Sequence, residues 1–264
     1  MTKVITQDIL DRQMNSFAIR SFRDTADGDY IAARMACRAG LMPQFLWSSQ
    51  QALEKYLKCI LLVNRIPATR VGHDLKRALE LARNVSHPPK LRPASKIFFD
   101  HIATYGLRRY LDGCYFVEGF PLFELDMTIW DLRRYCQILD VFGKELPEKE
   151  QEQLSAAHLA LEQSEQRSPQ YFRLHGGLLE SILDDRTNPA RAPLVWNNGF
   201  FHGSRRHKVR SRHILQATNA PLSNFPYMLD ELLKYIQMPR GDEREWREFL
   251  KEETCREGPV EMVA

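Results

Sequence analysis

The sequence predicts a mainly α protein, and three observations carry that expectation. Apolar residues recur at i, i+3 and i+4 through most of the chain, the period of a helix with one buried face. No confident run alternates apolar and polar residues as a half-buried strand does. Proline and glycine fall between the periodic stretches, where they punctuate helices.

The elements follow in order. Asp29–Cys37 reads as a short helix. The next spans Phe45–Leu62, with Phe45, Ser49, Ala52, Leu53, Tyr56, Leu57, Ile60 and Leu61 on one stripe and Gln51, Glu54, Lys55 and Lys58 on the other side. Pro43 can open it, since a first-turn residue needs no N–H partner, and Glu54 with Lys58 is a favourable i, i+4 pair. Asn64–Gly72 is a loop. A helix then starts at His73-Asp74-Leu75, with His73 or Asp74 at the cap, and runs to Asn84. Pro88, Pro89 and Pro93 precede a helix from Ala94 to Tyr110. Gly113–Pro121 reads as a turn-rich crossing, and Thr128–Phe142 as a fifth amphipathic helix. Lys144–Pro169 turns to Glu, Gln, Ala and Ser, the composition of an exposed helix or linker at a domain boundary. Beyond it, Tyr171–Asp184 is amphipathic, Leu194–Phe201 is short and aromatic, Leu229–Gln237 is a helix stopped by Pro239, and Arg240–Gly258 is a charged exposed helix. The domain expectation is therefore a bundle over 16–143, a linker or exposed helix over 144–169, a basic C-terminal region over 170–240 and a charged helical tail over 241–264.

Composition narrows the function classes. With 264 residues, 44% hydrophobic and 10% aromatic, the chain has enough apolar surface for a core and is not a disordered polymer. No apolar run approaches the length of a membrane span, and the acidic N-terminus lacks a signal-peptide pattern. Five scattered cysteines (Cys37, Cys59, Cys114, Cys136 and Cys255) lack metal-ligand spacing and imply reduced thiols in a cytoplasmic protein. No metal and no cofactor is expected: His202, His207 and His213 lack a helical pair with a carboxylate or thiolate, and Gly176-Gly177 lacks the strand and lysine of a phosphate loop.

The net charge of +3 is small, but its distribution is uneven. Thr187–Leu229 contains no acid, and Arg205, Arg206, Lys208, Arg210 and Arg212 crowd into its middle. Such a segment can bind a phosphate backbone, or it can be a solvated basic loop. Trp196, Phe200 and Phe201 beside it could stack bases, or anchor the loop in a core. Arg23, Arg34 and Arg38, near the first helix, read as plain surface charge, or as additions to a positive surface of the bundle shared with Lys55, Lys58 and Arg109.

Gln51–Lys58 reads Q-A-L-E-K-Y-L-K, Gly72–Leu75 reads G-H-D-L, and Arg109-Tyr110 follows downstream. This order resembles the HEPN domain, a helical bundle of nucleotide- and RNA-associated proteins, over residues 16–143. The resemblance implies an HEPN-like up-and-down helical bundle, followed here by a smaller, mostly helical basic C-terminal region. It implies RNA or nucleotide as partner, a homodimer, a protein partner encoded nearby, no membrane and no DNA sequence reading. It places the chain in bacterial stress or phage defence, as a metal-independent endoribonuclease or as a non-catalytic, toxin–antitoxin-like regulatory module.

Leu111 stands where the family often has proline. The ribonuclease branches carry an Arg followed by a His with four to six residues between them, one handling the 2′-hydroxyl proton and the other the phosphate. Residues 16–143 have no such pair, and Arg206 with His213, in the basic segment, is the spacing-compatible candidate. Candidate RNA- or nucleotide-binding residues are Lys55, Lys58, His73, Arg109, Tyr110, Arg205, Arg206, Lys208, Arg210 and Arg212. For each the alternative is structural: a solvated helix face for the lysines, a cap for His73, helix-end packing for Arg109 and Tyr110.

Overall fold

The computed structural model describes residues 6–69, 71–107, 113–140, 147–202, 209–238 and 240–257. It is mainly α, as the periodicity requires. The chain divides into two compact units, one within residues 1–107 and 120–213, the other within 108–119 and 214–264.

In the first unit, α1 (Gln7–Phe17) starts at Thr6, whose hydroxyl accepts the Ile9 N–H at 3.4 Å. It passes through a π-helical turn, Ala18–Arg23, directly into α2 (Asp24–Ala39). Gly40, at φ 74°, ends α2 in the left-handed conformation that glycine adopts without strain. The chain then reverses into α3 (Met42–Val63), which has Pro43 in its first turn. All eight positions of the apolar stripe are buried. The expected polar side is less polar than its residues suggest: Gln50 and Glu54 are also buried, so α3 is enclosed on most of its circumference.

Around α3 lie α4 (Leu75–Ala82), α5 (Pro93–Tyr105) and α6 (Pro121–Arg133). Helix α6 begins seven residues before the expected Thr128, because Pro121 suits a first turn, and it ends at Arg133. The segment expected as linker or exposed helix contains α7 (Glu148–Gln163), whose single buried residue is Leu161. Short helices α8 (Leu178–Asp184) and α9 (Arg191–Val195) complete this unit.

Buried charge attaches α8 and α9 to the bundle. Arg133 reaches Asp27 through Nε at 2.7 Å and Nη2 at 2.9 Å, and Glu180 through Nη1 at 2.8 Å and Nη2 at 2.7 Å. The Tyr56 hydroxyl donates to Asp27 at 2.5 Å, and Glu180 also accepts the Leu174 N–H at 3.1 Å. Gly177 lies so close to Glu180 and Arg133 that a Cβ there would collide with both. Asp126, on α6, accepts from Tyr30 at 2.6 Å and from Arg34, which also donates to the Pro193 and Trp196 carbonyls. Arg23 and Arg34, expected as surface charge, are therefore buried, with 2% and 1% exposure. Each has a carboxylate partner and a carbonyl in the C-terminal segment to satisfy it.

The second unit contains an antiparallel ribbon of β1 (Tyr115–Gly119) and β2 (Ile214–Thr218), with Val117 opposite Gln216. Beside it are α10 (Pro221–Asn224), α11 (Leu229–Leu232) and α12 (Arg240–Glu257). Leu222, Leu229 and Met238 form its small core, and Trp246 and Leu250 of α12 pack against them. The expected turn-rich crossing at Gly113–Pro121 holds β1 instead. Each strand has only five residues, and its partner is far away in sequence, so no hairpin turn announces the pair. The expected helix over Leu229–Gln237 is confined to α11.

Removing Arg133 would leave two carboxylates buried without a cation. Arg133→Ala is expected to lose about 3–5 kcal/mol of stability in urea unfolding. Arg77→Ala, at an exposed pair with Glu80, should change it by less than about 1 kcal/mol.

Candidate nucleic-acid interface

The motif residues of α3 and the following turn form a polar clasp. Glu54 accepts from Lys58 Nζ at 2.6 Å and Gln50 Nε2 at 3.0 Å, and lies 2.9 Å from His73 Nδ1. Gln50 also donates to the His73 carbonyl at 3.4 Å. Asp74 then caps α4, accepting the Arg77 N–H at 2.9 Å. Burial pushes the Glu54 carboxyl up, but the hydrogen bonds from Lys58, His73 and Gln50 outweigh it and hold the group below its ordinary value. Lys55 reaches across to Asp29 on α2 at 2.5 Å. Both lysines thus carry a carboxylate partner, and His73 is joined to Glu54 while its ring remains largely exposed.

The basic segment builds a different surface in the first unit. The Arg38 guanidinium, at the end of α2, lies 4.8 Å from the centre of the Trp196 ring, which is 38% exposed. The next residue, Asn197, has a left-handed backbone with φ 49°, and its Oδ1 accepts the Arg210 N–H at 3.4 Å. Arg210, Arg212 and His213 are exposed. His213 stands edge-on to Phe120, with ring centres 5.5 Å apart. Close by, burial raises the Glu124 carboxyl above its ordinary value, partly offset by the Phe120 N–H and by His213.

The turn that presents Trp196 is held from inside. Asn198 is fully buried; its Nδ2 donates to Tyr30 Oη and the Leu194 carbonyl, each at 2.8 Å. Its Oδ1 accepts the N–H groups of Phe200 and Phe201, each at 2.9 Å. Phe200 and Phe201 therefore point into the core beside Trp130, while Trp196 stays at the surface.

Of the residues singled out in the sequence, Lys58 and His73 join the clasp and Lys55 pairs with Asp29; Arg210 is tied through its N–H to Asn197, next to Trp196, while Arg212 is exposed and His213 stands against Phe120. Arg109, Tyr110, Arg205, Arg206 and Lys208 lie outside the described residues. The Arg38–Trp196 stack and the Phe120–His213 contact were not legible in the sequence, because each joins residues far apart in the chain. Among the described residues, no group of three or more His, Cys, Asp or Glu is arranged to hold a metal ion, and no helix is long and apolar enough to cross a membrane. The cysteines among them are free thiols.

Residues 19–116 match the family model of the HEPN domain. This segment is similar to the HEPN domain. It takes in the π-helical turn and helices α2 to α5, and with them the whole Glu54–Lys58–His73 clasp. No curated protein and no solved structure matches the chain. In the HEPN domain the Q-A-L-E-K-Y-L-K helix and the G-H-D-L turn are one structural piece, with Glu54 as the point where they meet. The first unit continues beyond the domain through α6 to α9, and Trp196, Arg210 and Arg212 lie in that extension.

Because the folded Glu54 carboxyl sits below its ordinary value of 4.5, the clasp stabilises the protein above that pH, and the contribution is lost as pH falls through the folded value. Glu54→Gln should be less stable than the parent at pH 7. The gap in urea midpoint should close as the pH drops below 4.5; a gap independent of pH would remove the carboxylate from the account.

Proposed function

We propose that this HEPN-domain protein binds single-stranded RNA across the face formed by Arg38, Trp196, Arg210, Arg212 and His213. One observation carries the reading: an exposed tryptophan stacked with an arginine stands next to the turn that holds the acid-free, arginine-rich segment. Aromatic rings accept any base by stacking, and arginines beside them neutralise the phosphates between bases. The HEPN domain supports an association with nucleotide or RNA. The clasp lysines are already engaged by carboxylates, so the Trp196 face is the better site for phosphate.

A second reading, metal-independent cleavage of that RNA, is favoured by His213 standing beside Glu124 and Phe120. A histidine that is oriented by its neighbours can take the 2′-hydroxyl proton. Arg206, its spacing-compatible partner, would stabilise the phosphate. The family resemblance further supports a homodimer, a protein partner encoded nearby, and a role in bacterial stress or phage defence.

Binding of a short single-stranded RNA should weaken with salt, with a log–log slope near about −2 if three arginines meet phosphates. Trp196→Ala should cost about fivefold or more in affinity, and Arg210→Ala with Arg212→Ala should flatten the slope. An affinity independent of salt would overturn the reading. Incubation of total RNA in EDTA separates the two functions. Fragments with 2′,3′-cyclic phosphate ends that disappear in His213→Ala would establish cleavage; intact RNA that is still bound would establish a binding module.

A further inference from the structure

The extension beyond the HEPN domain contains a cleft of about 240 Å³, walled by Phe172, Phe200 and Phe201 and edged by Tyr171, Arg173 and Asp184. It lies wholly in the first unit and outside residues 19–116. We propose that it is a pocket for a single nucleobase. The proposal deepens the RNA-binding reading and rests on it for the natural source of the base.

The walls are aromatic and firmly placed. Phe172 meets Trp130 edge-on at 5.2 Å, and Phe201 packs on the same indole at 5.9 Å. Both Phe200 and Phe201 are held through their N–H groups by Asn198. Tyr171, 58% exposed, adds a ring that can close over a ligand. The volume suits one small flat molecule and is below the usual range for larger ligands.

Charge decides which flat molecule. Glu180 shares Arg133 with Asp27, and Asp184 is paired with Arg173 Nη2 at 2.6 Å, so these groups carry no surplus of positive charge. A phosphate or carboxylate ligand would face Glu180 and Asp184 while the nearby arginines are already engaged. A cationic ligand fares no better, because Arg92 and Arg133 already occupy positions 5.0 and 5.8 Å from the Phe200 and Phe201 ring centres. An aliphatic ligand would leave the polar edge without partners. A neutral heterocycle with donors and acceptors around its rim meets every condition. It stacks on the less buried Tyr171 and Phe172 rings, gives its amino hydrogens to Asp184 and takes a hydrogen bond from the Gln170 amide. Bases drawn out of a strand are commonly read in this way.

The test uses the full chain with adenosine, guanosine, cytidine and uridine, ribose 5-phosphate as the base-free control, and a short single-stranded RNA. Titrations are followed by calorimetry and saturation-transfer NMR. At least one nucleoside should saturate while ribose 5-phosphate does not. Tyr171→Ala, an exposed position, should weaken it about fivefold or more, and Leu183→Trp, which fills the cleft, should abolish it. The proposal is overturned if no nucleoside saturates, if ribose 5-phosphate binds as well as the nucleosides, or if Tyr171→Ala leaves the affinity unchanged. RNA that binds without competition from any nucleoside would defeat the pocket and leave the RNA reading intact. Nucleosides that bind when RNA does not would defeat the RNA reading and uphold the pocket.

Discussion

The first unit depends on one guanidinium. Arg133 sits between Asp27 of the HEPN domain and Glu180 of α8, all three almost fully removed from water. An isolated charge at such depth is far more expensive than anything its packing could return. Each member therefore requires the others. The C-terminal segment is not simply laid on the bundle, because it supplies one of the two carboxylates that make burial of Arg133 tolerable. Tyr56, on α3, donates to the same Asp27, so the central helix is bound into the arrangement as well.

A second polar set repeats the logic one turn further along α2. Arg34, Tyr30, Asp126 and Asn198 link α2 and α6 to the loop after α9, and Arg34 adds the carbonyls of Pro193 and Trp196. These bonds fix which residues of that loop face inward. Phe200 and Phe201 go to the core and Trp196 goes out. A surface aromatic held by buried hydrogen bonds loses little further freedom when a ligand stacks on it, which favours binding. The proposed function and the stability would thus rest on the same few side chains.

The helices were legible because burial imposes a period on the sequence. The α3 stripe, Pro43 in its first turn and Asp74 at the start of α4 can all be read from local rules. The HEPN motif was legible for a related reason, since Glu54, Lys58 and His73 lie close together in the chain. What was hidden is what joins distant segments. Arg23 and Arg34 look like surface charge because arginine usually is, and only the folded chain reveals the carboxylates and carbonyls opposite them. The β ribbon escaped notice for the same reason: β1 and β2 are short, and neither carries the turn that would pair them. Trp196 stands out in the sequence as a stacking candidate and Arg38 as surface charge, but their stack exists only once the loop after α9 has been pinned to α2.

The pairing of β1 with β2 also sets an order of events during synthesis. Residues 120–213, which belong to the first unit, emerge from the ribosome between the two strands. The earlier strand must therefore wait without its partner while that whole stretch is made, and Tyr115, Phe116 and Val117 stay unpaired for the interval. Contacts of such long separation close late, so the second unit is the last part to assemble. A chain interrupted before Ile214 could complete the HEPN domain and its extension, yet it would leave β1 as an open edge able to pair with other chains.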